Sequence, residues 1–159
     1  MKNSTLILAL AVCLAGMTGQ VWAADTGTIT VTVSLGEVIS VSLDEPAWAI
    51  GAIALDGTSS SPTCTATNGG NVAIDLKISG ANGAGGWTIG SPAAADVFEV
   101  AVAVPDIKLT TGEQVLAGNV AVSGTKTIDM DYTAPSGDTK GPGIAQGFDI
   151  TITATKYTP

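Results

Sequence analysis

An all-β fold, two antiparallel sheets of seven to ten strands packed as a sandwich, is predicted by three observations. Apolar residues recur at every second position in many short runs, with valine, isoleucine and threonine dominating both faces. Clusters of glycine, asparagine and proline separate those runs at close intervals. A convincing helical period is absent, and the nearest candidate, residues 91–96, is too short. A closed β-barrel is the alternative arrangement of the same strands.

The chain begins with a different pattern. Lys2 precedes an apolar run over residues 6–14, and a small-residue stretch closes on Val21-Trp22-Ala23, the small-x-small pattern read by signal peptidases. The run is shorter than the ~20 residues that cross a bilayer. Residues 1–23 are therefore expected to be a cleaved signal peptide, and residues 24–159 a single exported β-sandwich domain.

The elements follow in order. Residues 28–35 alternate strictly, with Ile29, Val31, Val33 and Leu35 on one face and threonine or serine on the other. Gly36 breaks that strand, and residues 38–43 form the next with Ile39, Val41 and Leu43 inward. Residues 48–55 read as a strand, 56–62 as a polar loop and 63–68 as a short polar strand. Asn68-Gly69-Gly70-Asn71 is a turn because Asn and Gly accept positive φ. Residues 72–79 follow with Ile74, Leu76 and Ile78 inward, then a glycine-rich loop over 80–86. A short element at 87–89 leads to a strand at 97–104, with Phe98, Val100, Val102 and Val104 sharing one face. Apolar pieces at 107–109, 115–117 and 119–122 come next. Residues 126–132 place Ile128, Met130 and Tyr132 opposite Asp129 and Asp131. A loop over 134–147 leads to a final strand in which Phe148, Ile150, Ile152 and Ala154 alternate with polar residues.

Composition narrows the functions available. Lys2 leaves with the signal peptide, so five lysines face fourteen carboxylates, a net charge of −9, and there is no arginine. A phosphate-tracking surface needs clustered Lys and Arg, so neither nucleic acid nor, after signal cleavage, an anionic membrane is an expected partner. The absence of histidine removes Ser-His-Asp, Cys-His and His-metal chemistry. No pair of carboxylates is singled out for glycoside hydrolysis, and an enzyme is not expected. Cys13 lies in the signal peptide, which leaves Cys64 as the one mature thiol and excludes an internal disulfide.

Three groups of residues are candidates for function. Asp129, Asp131 and Asp138 offer oxygens to calcium, against the competing reading that Asp129 and Asp131 merely share the solvent face of a strand. No other cofactor is implied. Trp87, at the edge of a flexible loop, and Tyr132 offer aromatic faces to a glycan or other ligand, against the reading that Trp48 and Trp87 are core residues capping the two ends of the sandwich. The strand with Ile29, Val31, Val33 and Leu35 follows a short lead of four residues. Such a strand can pair in its own sheet or complete the edge of a neighbour's, which makes these four the expected assembly residues.

The order of features, with Thr67-Asn68-Gly69-Gly70-Asn71-Val72, Gly86-Trp87-Thr88-Ile89 and Ala134-Pro135 before the closing 148–154 strand, resembles small exported surface and matrix domains. Fibre subunits of the TasA/camelysin type are the first match and WxL-type surface domains the second. The first resemblance implies an extracellular biofilm-matrix or pilus-like fibre, self-assembled through the amino-terminal strand, with no enzymatic site. In place of tryptophan-x-leucine elements this chain has Trp87-Thr88-Ile89, so wall binding of the WxL kind is not implied. The expectation is a secreted or cell-surface structural or adhesive protein, periplasmic in some envelopes. Its partners are copies of itself, other surface proteins or polysaccharide. The alternative is a monomeric secreted ligand-binding module.

Overall fold

The computed structural model describes residues 30–141 and 143–159. Eleven strands and no helix occur among them: β1 (Val41–Leu43), β2 (Thr58–Ser60), β3 (Cys64–Asn68), β4 (Ile74–Gly80), β5 (Thr88–Ile89), β6 (Val97–Val102), β7 (Ile107–Lys108), β8 (Gln114–Val120), β9 (Thr125–Ile128), β10 (Met130–Thr133) and β11 (Ile150–Lys156). They form three sheets, β1-β3-β9, β2-β10-β6-β5 with β7 also on β6, and β11-β4-β8. No sheet closes on itself, so the sandwich and not the barrel is the architecture. All pairings are antiparallel except β5 with β6.

The period-two pattern accounts for the core. Ile74, Leu76 and Ile78 of β4 are fully buried, as are Phe98, Val100 and Val102 of β6. With Leu109, Leu116, Ile128 and Tyr132 they join one apolar cluster, against which Trp48, Phe148, Ile150 and Ile152 are partly buried. Burial of each such side chain contributes roughly 1.5–3 kcal/mol, and the alternation places them all on the inner faces.

Several expected elements differ from those observed. Residues 30–35, the described part of the expected first strand, are irregular, and Val31, Val33 and Leu35 are 76%, 77% and 86% exposed. Alternation supplies the propensity, but a strand needs an edge to bond to, and among the described residues this segment has none. Ile29 and the expected signal peptide lie outside the described residues. Residues 48–55 are also irregular, with Gly51 at a φ of 74°. Within the expected loop 56–62, β2 forms by pairing Ser60 with Asp131. The strand expected at 126–132 divides at Asp129, because β9 bonds β3 whereas β10 bonds β2 and β6. Val104 is exposed rather than inward, because β6 ends at Val102 and the following turn carries it out.

The chain divides into two units, Met1–Leu35 and Gly36–Pro159, and every strand belongs to the second.

Candidate functional site

One side of the second unit carries two adjoining cavities of about 660 and 570 Å3. They share Ile50, Gly51, Ala145, Gln146 and Phe148, so together they form one long cleft. Two irregular segments line it, residues 45–55 and 143–149, and neither can close into a ladder. In the first, Gly51 shifts the apolar parity from Trp48 and Ile50 to Ile53 and Leu55, so no single strand face collects them. The second is rich in glycine.

Trp87, Tyr132 and Asp138 all line the larger cavity. Trp87 sits just before β5 and is held at three points. Its main-chain N–H donates to Gln146 Oε1 at 3.2 Å, its indole Nε1–H donates to Asp138 Oδ1 at 3.2 Å, and its carbonyl accepts from the Gly83 N–H at 2.8 Å. The Lys140 N–H also donates to Asp138 Oδ1, at 2.9 Å, so this carboxylate clamps its loop to the indole. Tyr132 is 3% exposed and its phenol is pushed up by burial. Its ring lies edge-on to Trp48 at 6.5 Å and 5.7 Å from Phe98, which in turn packs 4.5 Å from Phe148. Tyr132 and Phe148, backed by the fully buried Phe98, form the apolar floor of the larger cavity, and Asp138 and Gln146 contribute its polar wall, a mixture typical of small-molecule sites.

The smaller cavity lies between β11 and the inner residues of β1, β3, β9 and β10. Leu43, Cys64, Ile128 and Met130 line one side, Ile150 and Ile152 the other, and Trp48 adds an indole. Cys64 is 5% exposed, and burial raises its thiol above the ordinary range. Such a thiol is poorly nucleophilic at neutral pH.

The structure separates the three calcium candidates. Asp131 accepts from the Ser60 hydroxyl at 2.6 Å and Asp129 from the Thr63 hydroxyl at 2.8 Å, while Asp138 belongs to the Trp87 cavity. Among the described residues no group of three or more His, Cys, Asp or Glu side chains could hold a metal ion. Trp87 and Tyr132, by contrast, are brought together, as different walls of one cavity. Gln146, Ile50, Ile53 and Phe148 complete that cavity without having been singled out by sequence. The parity switch at Gly51 is the signal that would have taken residues 48–55 out of a strand.

Comparison with known protein families, curated proteins and solved structures yields no match.

Proposed function

We propose that this chain is an exported structural or adhesive subunit that assembles head to tail by donating residues 29–35 to a neighbouring copy. The observation that carries this reading is the exposure of Val31, Val33 and Leu35, alternate aliphatic side chains outside any strand. An uncovered apolar stripe with the two-residue spacing of a strand is matched to a sheet edge. Residues 28–35 carry no charge, so pairing with a neighbour buries no unpaired ion of the donor. The leader-like pattern of Lys2, residues 6–14 and Val21-Trp22-Ala23 supports export, and the resemblance to TasA/camelysin-type subunits points the same way. The role is mechanical, with no turnover.

Negative-stain electron microscopy of the exported protein tests the reading. The unsubstituted chain is expected to form filaments, and a Val31→Asp/Val33→Asp double variant to remain monomeric with an unchanged melting temperature. Filaments formed equally by both proteins would refute it.

A second reading, a monomeric ligand-binding module, is favoured by the meeting of Trp87, Tyr132 and Asp138 in one cavity. Under it, a Trp87→Ala variant stays monomeric and loses retention on polysaccharide columns that hold the unsubstituted protein.

A further inference from the structure

We infer that the acceptor for the donated segment is the open edge of β11 on a second copy, with the cleft between β11 and the inner face of β3 and β9 receiving the donor's aliphatic side chains. This rests on the strand-donation reading and adds the surface that completes it.

The hydrogen-bond pattern of β11 identifies the edge. The Ala81 N–H donates to the Asp149 carbonyl and the Tyr157 N–H to the Ala73 carbonyl, each at 2.9 Å, at the two ends of the β11-β4 ladder. In an antiparallel pair the bonded residues alternate. Odd-numbered residues therefore bond to β4, and the N–H and C=O groups of Ile150, Ile152, Ala154 and Lys156 point to the other edge. Among the described residues β11 has β4 as its only strand partner. The side chains of Ile150, Ile152 and Ala154 face inward, opposite Gly80, Ile78 and Leu76. A strand added at this edge would bond to the even residues and direct its own opposing side chains to the same inner face.

That inner face is the cleft of about 570 Å3 lined by Leu43, Trp48, Cys64, Ile128, Met130 and Ile152. Glu45, Gln146 and Asp149 also line it, so the cleft is mixed in character, and a row of aliphatic side chains at two-residue spacing would meet its apolar side. Residues 28–35 supply such a row, and their eight residues match the seven of β11. The opposite edge of the same sheet is unsuitable. There β8 carries irregularities in its register with β4, and Asn119 adopts a φ of 51°, which twists and kinks an edge against further pairing. The occupant is residues 28–35 of a second copy, the donor of the strand-donation reading: Val31, Val33 and Leu35 offer exposed aliphatic side chains, and the cross-linking below separates a neighbour's segment from the same chain's.

Ala154→Pro in the full chain tests the assignment. Proline there removes an N–H that points away from β4 and leaves the odd-residue ladder bonds in place. The expected result is loss of filaments with less than about a 5 °C change in melting temperature. Filaments from Ala154→Pro alongside monomers from Val31→Asp/Val33→Asp would overturn the β11 assignment and leave strand donation standing. Filaments from both would overturn both. If Ala154→Pro fails to fold, cysteine trapping decides. In a Cys13→Ser background, Val31→Cys and Val33→Cys are each oxidised with copper phenanthroline, which takes two electrons and two protons per disulfide. A ladder of multimers on a non-reducing gel that disappears with Cys64→Ala supports the assignment. A cross-linked monomer, or no Cys64-dependent product from either variant, overturns it.

Discussion

Replacing Asn68 with alanine is the sharpest test of how the sandwich is held together. Asn68 is 1% exposed, at the end of β3. Its Nδ2 group donates to the carbonyls of Val72, Val120 and Ala121 at 2.9, 3.1 and 3.1 Å, and its Oδ1 accepts from the Gly70 N–H at 2.9 Å. One side chain thus ties the 68–72 turn to the end of β8. Gly70 must be glycine here, because a Cβ at that position would collide with the Val38 carbonyl oxygen. Alanine at 68 would leave the Gly70 N–H and the Val120 carbonyl buried and unpaired, whereas the Val72 and Ala121 carbonyls are near enough to the surface to recruit water. Two buried groups left unsatisfied cost about 1–3 kcal/mol each, so the total is about 2–6 kcal/mol. That is a large share of the ~5–15 kcal/mol that stabilises an ordinary domain. Urea unfolding followed by tryptophan fluorescence should show the midpoint falling with an unchanged slope. Asn68→Asp keeps the acceptor for Gly70 but turns a charged oxygen toward three carbonyls, and at pH 7 it should destabilise at least as much. A loss below about 1 kcal/mol for both variants would refute the reasoning.

Other perturbations give separate readouts. Trp87→Phe keeps the ring and removes the bond to Asp138, so thermal melting should report a loss of about 0.5–1.5 kcal/mol. The Asp96 carboxyl is held below its ordinary range by the Thr139 hydroxyl, then by the Thr139 N–H, with Lys140 adding to both. A depressed carboxylate contributes stability that is present above its unfolded pKa and is lost as pH falls through its folded value. In Thr139→Val, an NMR titration should find Asp96 moved up toward the ordinary carboxylate value, and an unmoved titration would contradict the geometry. Glu99 is lowered chiefly by the Ser91 hydroxyl, so Ser91→Ala should raise it in the same experiment. Cys64 should react slowly with a thiol reagent in the folded protein and rapidly in urea, and rapid labelling without denaturant would show that its burial is wrong.

What could be seen in the residues was the part governed by local alternation. β4, β6 and the inner face of β9 and β10 follow directly from apolar residues at every second position, because a half-buried strand leaves that imprint. The imprint does not say which edge a strand will bond to, which is why the 126–132 run divides at Asp129 between two sheets without any change in its pattern. It also cannot distinguish a strand that has found an edge from one that has not, and residues 30–35 are the second kind. β2 was illegible for the opposite reason: Thr58–Ser60 carries no apolar signal and owes its existence to β10 beside it. The larger cavity was half visible. Trp87, Tyr132 and Asp138 stand out as residue types, but Gln146 and Phe148 reach the same space from a glycine-rich loop whose course follows from tertiary packing.

A subunit with one donor and one acceptor has a polarity, and that polarity separates strand donation from any symmetric association. Val31→Asp/Val33→Asp removes the donor and leaves β11 open, whereas Ala154→Pro blocks the acceptor and leaves the donor intact. Neither should polymerise alone. Mixed in equal amounts, they should form one productive junction, the donor of Ala154→Pro entering the cleft of the other variant, and growth should stop there because both remaining ends are dead. Sedimentation should therefore show a heterodimer and nothing larger. A symmetric interface, in which the same patch meets itself, predicts no such complementation, because each variant would carry its defect into every junction. Each Asp that replaces a valine buried at the junction forfeits about 2 kcal/mol of aliphatic burial before its own desolvation is counted, so two substitutions weaken a junction by about three orders of magnitude or more. Adding either variant in small amounts to the unsubstituted protein should shorten filaments, each by capping the opposite end.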